Sequence, residues 1–529
     1  MTQDNHNPAE ARRQVVQEEL DARRTATERN RMGQFATPNI LAVEIARYVQ
    51  SIAGPSLRAI RFADPAVGTG SFFSAALTVF GAERVVQALG IEIDPAFCAA
   101  ARDLWGREGL EVIPGDFTKV IGRGSTPSSP NLILANPPYT RHHHMGLKDK
   151  KRLKELVFHR TGVEINGLAG LYVYFLLLAT DWMEDGGCAA WLVPSEFMDV
   201  KYGTALKRFL TERVTLLRIH RFDPDHVQFG DALVSSAVLV FRKAPPAADH
   251  AVEFSFGGTL GSPAVSDSVS LEQLRESRKW TIYPTHSKND RRVLSDAGQT
   301  LGDYFRVQRG IATGSDKFFI LLRADATRLH LPDRYLRPIL PSPRYLKATI
   351  VEADEEGYPL IDRQLCVIDC HLPEDILECR HPSLWAYLKT AEALGIKDGY
   401  ILRRRTPWYR QEQREPAPFL CTYMGRGSDE KRPFRFIWNR SRAIGTNLYL
   451  MLYPVGKLAR MLREHPERTS EVFDMLGRVT GHELRGEGRV YGGGLNKIEP
   501  NELARISAVG FLRRWPKLRA GVERQAQLF

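Results

Sequence analysis

"FADPAVGTGSFF", residues 62–73, decides the fold. An apolar run ends in Asp64, a loop carries Gly68 and Gly70, and a second apolar run opens with Phe72 and Phe73. Glycine lets a backbone turn sharply and approach a ligand, and the helix that follows points N–H groups at it. The alternation then repeats. "VVQALGIEID" (85–94) is predicted to be a strand, "PAFCAAARDLWG" (95–106) a helix, "EVIPGDF" (111–117) a short strand and "NLILANPPY" (131–139) another. Upstream, "NILAVEIARYVQSI" (39–52) has the three-and-four apolar spacing of an amphipathic helix. Strands alternating with helices predict a parallel sheet covered on both faces.

Further along, "GLYVYFLLLATDWM" (170–183) is a helix closed by "EDGG", and "CAAWLVPSEF" (188–197) is a strand. "VTLLRIHRF" (214–222) and "ALVSSAVLVFRK" (232–243) are expected as paired final strands, and "APPAADH" (244–250) as the linker that ends this unit. Three segments are therefore expected: a charged helical stretch over 1–32, a catalytic α/β domain over 33–245, and a second domain over 246–529 without the βα regularity. At 529 residues the chain is too long for one ordinary core.

The strand ends carry acids. Asp64 stands just before the glycine loop, Glu92 follows Gly70 at the distance expected for the tip of the second strand, and Asp116 closes the third beside Phe117. Glu92 there could hold ribose hydroxyls. A lone GxG fits NAD, FAD or S-adenosylmethionine (SAM). The missing third glycine argues against a dinucleotide, and a carboxylate next to the loop suits the cationic SAM better than a phosphate. Asp116 and Phe117 would give an adenine ring an acceptor and an apolar face.

"NPPY" (136–139) falls at the end of the fourth strand, beside that cleft. An exocyclic amine on a base is a poor nucleophile, because its lone pair is delocalised into the ring. Two acceptors gripping its hydrogens would free that lone pair. The Asn136 side-chain carbonyl is one and the Pro137 backbone carbonyl the second, held rigidly by Pro137 and Pro138. Tyr139 offers a ring for stacking the target base, and no strong general base is needed. Arg141 with His142, His143 and His144 is expected to face the DNA backbone. Three adjacent histidines cannot easily converge on one ion, and no metal is expected.

The order "GQFATP" (33–38), "DPAVGTG", "GIEID", "GDF", "NPPY", "GLYVYFLLLA", "WLVPSEF" resembles the gamma-class N6-adenine-specific DNA methyltransferases of restriction–modification type. The resemblance implies an α/β, Rossmann-like, seven-stranded SAM-dependent methyltransferase domain followed by a mixed α/β target-recognition domain. It implies that Thr37 and Pro38 line the methionine end of SAM with Asp64, Ala66, Gly68 and Gly70. Glu92 would hold the ribose, Asp116 and Phe117 the adenine, and Phe175 the adenine's other face, with Ile93 and Asn136 also among the cofactor-binding residues. S-adenosyl-L-homocysteine would be the product. An aromatic five residues before a "VS" pair stacks on the flipped base in that family, and here it is Phe229, with Phe222 as the alternative. Flipping is required because an adenine inside a duplex cannot reach the cofactor.

The formal charge of +11 suits a polyanionic partner, here double-stranded DNA. In the second half, "ILRRRTPWYRQEQREPAPFLCTYMGRGSDEKRPFRFIWNRSR" (401–442) interleaves cations with aromatics. Arg403, Arg404, Arg405 and Arg410 are candidate DNA contacts. So are Arg426, Arg440 and the later Lys497. No apolar stretch reaches the ~20 residues that cross a bilayer, and the polar start lacks a signal-peptide core. No membrane partner and a cytoplasmic location are expected, with six cysteines as reduced thiols. No nuclease signature precedes residue 33, so a modification enzyme without its own cleavage activity is expected, with a separate cognate restriction endonuclease or a defence-system subunit as candidate partners. The rivals are a protein glutamine methyltransferase, an RNA adenine methyltransferase and a non-catalytic DNA-binding protein.

Overall fold

Five short apolar runs become the parallel heart of a sheet: β1 (Ile60–Asp64), β2 (Val85–Glu92), β3 (Leu110–Pro114), β4 (Leu132–Ala135) and β5 (Cys188–Pro194). The structure, a computed structural model, describes residues 8–25, 28–29, 32–53, 57–121, 129–140, 142–223, 236–284, 299–426, 433–491 and 495–518. β4 and β5 are buried along their whole length, as strands with helices on both faces must be. β6 (Thr215–Arg221) and β7 (Ser236–Arg242) follow, and β7 runs antiparallel to both β5 and β6. The spatial order of these seven is β3-β2-β1-β4-β5-β7-β6. The chain leaves β1 to one side and returns beside it as β4. That reversal opens a crevice at the carboxyl ends of β1 and β4, where ligands bind in open α/β sheets.

Helices cover each face. α1 (Pro8–Ala22), α2 (Asn39–Ala53), α3 (Ser71–Phe80) and α4 (Pro95–Trp105) lie on one side. α2 turns Leu41, Ala42, Ile45, Ala46, Val49 and Ala53 inward, the stripe its spacing predicts. Asp94 starts α4 by accepting the N–H groups of Ala96 and Phe97, with Pro95 in the first turn. A short turn, α5 (Phe117–Val120), follows β3. On the other face α6 (Leu147–Thr161) is polar, burying Leu153 and Val157. α7 (Leu171–Trp182) is apolar all round and buried accordingly.

Two expectations are corrected. The sheet does not end at residue 243: β8 (Ala251–Gly258) pairs in parallel with β6, and β9 (Pro263–Ser270) pairs antiparallel with β8. The seven strands are extended to nine, because β6 would otherwise present an open edge of unpaired backbone groups. The first compact unit accordingly runs to Arg291 rather than 245, and it includes the N-terminal helix expected as a separate segment.

The second unit begins at Arg292. Its main sheet sets the strands in the order Phe305–Arg309, Tyr449–Pro454, Phe419–Thr422, Phe436–Asn439 and Ile350–Val351, antiparallel except for the last pair. A three-stranded sheet of Ile320–Leu322, Leu365–Ile368 and Leu336–Ile339 adds to it. The unit is mixed α/β, as expected. All six cysteines are unpaired. Among the described residues no helix is long and apolar enough to cross a membrane.

Candidate active site

The glycine loop owes its shape to two left-handed residues, Gly68 at φ +56° and Gly70 at φ +89°. A side chain at Gly70 would place its Cβ 2.5 Å from Trp105 Nε1, and that indole donates to the Thr69 carbonyl at 2.8 Å. Around Gly68 the corresponding space is open. Asp64, 2% exposed, accepts the Ala66 N–H at 2.9 Å. Burial, with the nearby Glu92 adding to it, pushes the Asp64 carboxyl up to about 8. Glu92 is also raised by burial, although it accepts N–H groups from Gly68 at 2.9 Å and Asp94 at 2.8 Å. Two acids with raised pKa at one loop form a socket that a cation would bring to full charge.

Asn136 stands directly after β4. Its Nδ2 donates to the Phe35 carbonyl at 2.9 Å and to Thr37 Oγ1 at 3.1 Å. Two acceptors on one side fix the amide's orientation, and the buried Oδ1 has no hydrogen-bond partner. Such a group costs about 1–3 kcal/mol. The segment holding it is itself tied down, since the Thr37 carbonyl accepts from Ser71 Oγ at 2.9 Å and the Gly33 carbonyl from the Tyr139 N–H at 3.0 Å. Gly33 has φ +70°, and a Cβ there would meet the Tyr139 nitrogen at 2.4 Å. "GQFATP" and "NPPY", a hundred residues apart, are thus hydrogen-bonded to each other.

Tyr139 donates its hydroxyl to the Leu192 carbonyl at 3.1 Å and packs on Phe35 with ring centroids 5.3 Å apart. Tyr139 is buried, at 6% exposure. Pro137 is buried and Pro138 half-buried. Pro38 lies in the same turn as Thr37 and starts α2 through its carbonyl, bonded to the Ala42 N–H.

On the adenine side one expectation needs correcting. Phe117 is 1% exposed and packs on Phe175 at 5.1 Å and on Trp182 at 6.1 Å. Phe117 and Phe175 therefore face each other in the core, because α7 buries its whole circumference. The open apolar surface at this edge is Ile93, next to Glu92 and 66% exposed. Asp116 caps α5 through the Thr118 N–H at 2.9 Å and lies 3.6 Å from Lys119 and 4.0 Å from Arg152. Phe229 and Arg141 lie outside the described residues. Phe222 is buried edge-on against His220 at 4.8 Å.

Models of known families match both halves of the chain. One described as Eco57I restriction-modification methylase matches residues 130–228, and one described as the C-terminal domain of the type II methyltransferase M.Eco57I matches residues 277–520. The type II methyltransferase M.XamI of Xanthomonas campestris pv. amaranthicola is 28% identical over 487 residues, covering 90% of this chain and 85% of that protein. M.AccI of Acinetobacter calcoaceticus is 24% identical over 497 residues with the same coverages. Along both halves the chain is similar to restriction–modification DNA methyltransferases. The solved type IIL restriction–modification enzyme MmeI shares the fold, with a TM-score of 0.56 at 11% identity over 84% of this chain. The present methyltransferase spans 65% of the MmeI chain.

In the second unit of this methyltransferase the candidate DNA contacts separate. Arg405 donates to the Ala312 carbonyl at 2.7 Å and the Thr313 carbonyl at 3.2 Å. Arg440 pairs with Glu352 at 2.6 Å and Lys497 with Glu499 at 2.9 Å. These three are engaged within the protein. Arg404 is exposed, its guanidinium 3.9 Å over the Tyr400 ring, and Arg403, Arg410 and Arg426 are exposed as well. Arg404, Arg405, Arg410 and Arg414 line a cleft of about 580 Å³. Two supporting residues escape a reading of the sequence, Phe35 with its carbonyl and Trp105 with its indole. The signal that points to Trp105 is an aromatic in the last turn of the helix before β3.

Proposed function

We infer that this protein transfers a methyl group from S-adenosylmethionine to N6 of a flipped adenine in double-stranded DNA (EC 2.1.1.72), as the modification enzyme of a restriction–modification or phage-defence system. One observation carries the reading: the Asn136 amide is pinned by its nitrogen, and its buried carbonyl oxygen has no partner. An acceptor maintained unpaired at that cost suits an amine donor that arrives with the substrate.

The residues present fit the cofactor. Asp64 would take the ammonium, Glu92 the ribose hydroxyls, Ile93 one face of the adenine, and the open side of Gly68 the close approach of the amino-acid moiety. When bound, the cofactor supplies a methyl group made electrophilic by a sulfonium, and S-adenosyl-L-homocysteine remains.

Asn136 Oδ1 and the Pro137 carbonyl accept the two amine hydrogens, which localises the lone pair on N6. Once nitrogen has formed its new bond it is cationic, and it loses one of those hydrogens to solvent without a dedicated base. Pro137 and Pro138 keep the acceptors in place at little entropic cost. Stacking on Tyr139 and Phe229 offsets part of the unstacking energy, ~1–3 kcal/mol per face.

The same acceptors would serve the amide of a protein glutamine. The exposed arginines beside Tyr400 favour nucleic acid. The protein would act in the cytoplasm, beside a separate restriction endonuclease. Incubation with methyl-labelled cofactor and, separately, duplex DNA, RNA and protein extract tests this. Label recovered as N6-methyladenine from DNA is the expected result, and label in protein or RNA but not DNA would refute it.

A further inference from the structure

The N-terminal segment bonds to three walls of the cleft assigned to the cofactor. The buried residues of α1 are Glu10, Arg13 and Leu20, with Ala9 and Val16 packed partly buried beside them, so two of the three most buried side chains are ionic. Arg13 Nε and Nη2 each donate to the Glu10 carboxylate at 2.8 Å. Its Nη1 donates to Thr69 Oγ1 at 3.0 Å, and that hydroxyl donates onward to Gln17 Oε1 at 2.7 Å. Thr69 sits between Gly68 and Gly70, so the loop is held from behind by its hydroxyl. The second wall is the end of β2: Arg24 pairs with Asp94, whose N–H is bonded to Glu92 Oε1 at 2.8 Å. The third is "GQFATP", where Arg24 Nη1 donates to Gln34 Oε1 at 2.6 Å and the Gln34 N–H donates to the Arg29 carbonyl at 3.0 Å.

A helix needed only to cover the core would place aliphatic side chains inward. A buried ion pair replaced by packed apolar residues is often neutral or stabilising, so Glu10 and Arg13 are weak choices for stability alone. What they provide is direction. Hydrogen bonds and ion pairs fix where Thr69 and Asp94 stand, whereas apolar contacts tolerate sliding.

We propose that residues 8–25 are a positioning arm of the cofactor site, in which Arg13 acting through Thr69 and Arg24 acting through Asp94 hold the glycine loop and Glu92 in binding geometry. The inference rests on reading the cleft as a SAM site. Arg13 and Arg24 are positioning residues, since neither is placed against cofactor or substrate.

The test uses the full chain with Arg24→Gln, Thr69→Val and the conservative Thr69→Ser. S-adenosylhomocysteine binding is measured by calorimetry, and KM for SAM and kcat on methylatable DNA are measured at saturation. Misplacing a supporting group typically costs about 10- to 100-fold in affinity or activity. Arg24→Gln and Thr69→Val are expected to weaken S-adenosylhomocysteine binding about tenfold or more and to raise KM for SAM in step. The saturated kcat should stay within about twofold, and Thr69→Ser should bind like wild type. Unchanged affinity in folded Arg24→Gln and Thr69→Val overturns the proposal. So does a loss in kcat with KM unchanged, which would mean general loosening of the active site. If Thr69→Val does not fold, Arg24→Gln against Thr69→Ser decides. A wild-type protein that binds no S-adenosylhomocysteine would instead refute the cofactor reading itself.

Discussion

Thr37 Oγ1 lies 3.1 Å from Asn136 Nδ2 and thereby decides which end of that amide stays open. With the Phe35 carbonyl at 2.9 Å as the second acceptor, both amide hydrogens are used and the buried oxygen is left without a partner. Thr37→Val keeps the volume and removes one anchor. We expect kcat to fall about 10- to 100-fold, with Thr37→Ser near wild type. Asn136→Ala should lose transfer while retaining cofactor affinity, and Tyr139→Ala should be weakened rather than abolished. Single-turnover methylation with parallel calorimetry separates these outcomes.

Asp64 links stability to pH. Its carboxyl is pushed up to about 8 by burial, against about 4 in an unfolded chain. The folded protein therefore keeps a proton that the unfolded chain has already released, and stability falls as pH rises from about 4 to about 8. Asp64→Asn removes this penalty. Without cofactor it should match wild type near pH 4 and exceed it by a margin that grows with pH up to about 8, while binding S-adenosylhomocysteine much more weakly. Denaturant titrations at several pH values check this, and a difference independent of pH would show that Asp64 does not titrate in that range.

Gly33 joins the two motifs. Its φ of +70° and the Tyr139 nitrogen 2.4 Å from any Cβ leave no room for a side chain. Gly33→Ala should cost about 2–4 kcal/mol and lower kcat together with stability, because the displaced segment carries Phe35 and Thr37. Thermal melts of the variant with and without S-adenosylhomocysteine measure it.

The arginines of the second unit should divide by their partners. Arg404→Ala and Arg410→Ala should weaken DNA binding, and each cation removed from a phosphate should lower the salt slope by about one. Arg440→Ala removes an exposed pair with Glu352, and its effect should stay near about 0–1 kcal/mol of stability with DNA affinity little changed. Fluorescence anisotropy across a salt series distinguishes the two groups.

Much of the catalytic sheet is legible in the sequence because its signals are local. A glycine pair after β1, acids at the ends of β2 and β3, and Asn136 after β4 each announce their place within a few residues. What the sequence hides is non-local. Nothing in "GQFATP" states that Phe35 and Thr37 grip Asn136, or that Phe117 and Phe175 meet in the core. β8 and β9 escape notice because the Pro- and Ala-rich stretch before them resembles a linker, while the edge of β6 that requires a partner is a property of the folded sheet. The arginines of residues 401–442 look alike in one dimension, and only their neighbours separate Arg405 and Arg440 from Arg404 and Arg410.

The two late strands bear on how such a protein can be cut and recombined. A splice placed in the Pro-rich stretch at 244–250 would strip β8 and its buried Val252 and Phe254 from the sheet. It would also expose the β6 edge to other chains. Shuffling of second halves between relatives should therefore tolerate only junctions beyond Tyr283, because Trp280 and Tyr283 after the short helix Leu271–Glu276 are still buried in the same core. Junctions at 245 should give chimaeras that aggregate before their specificity can be assayed.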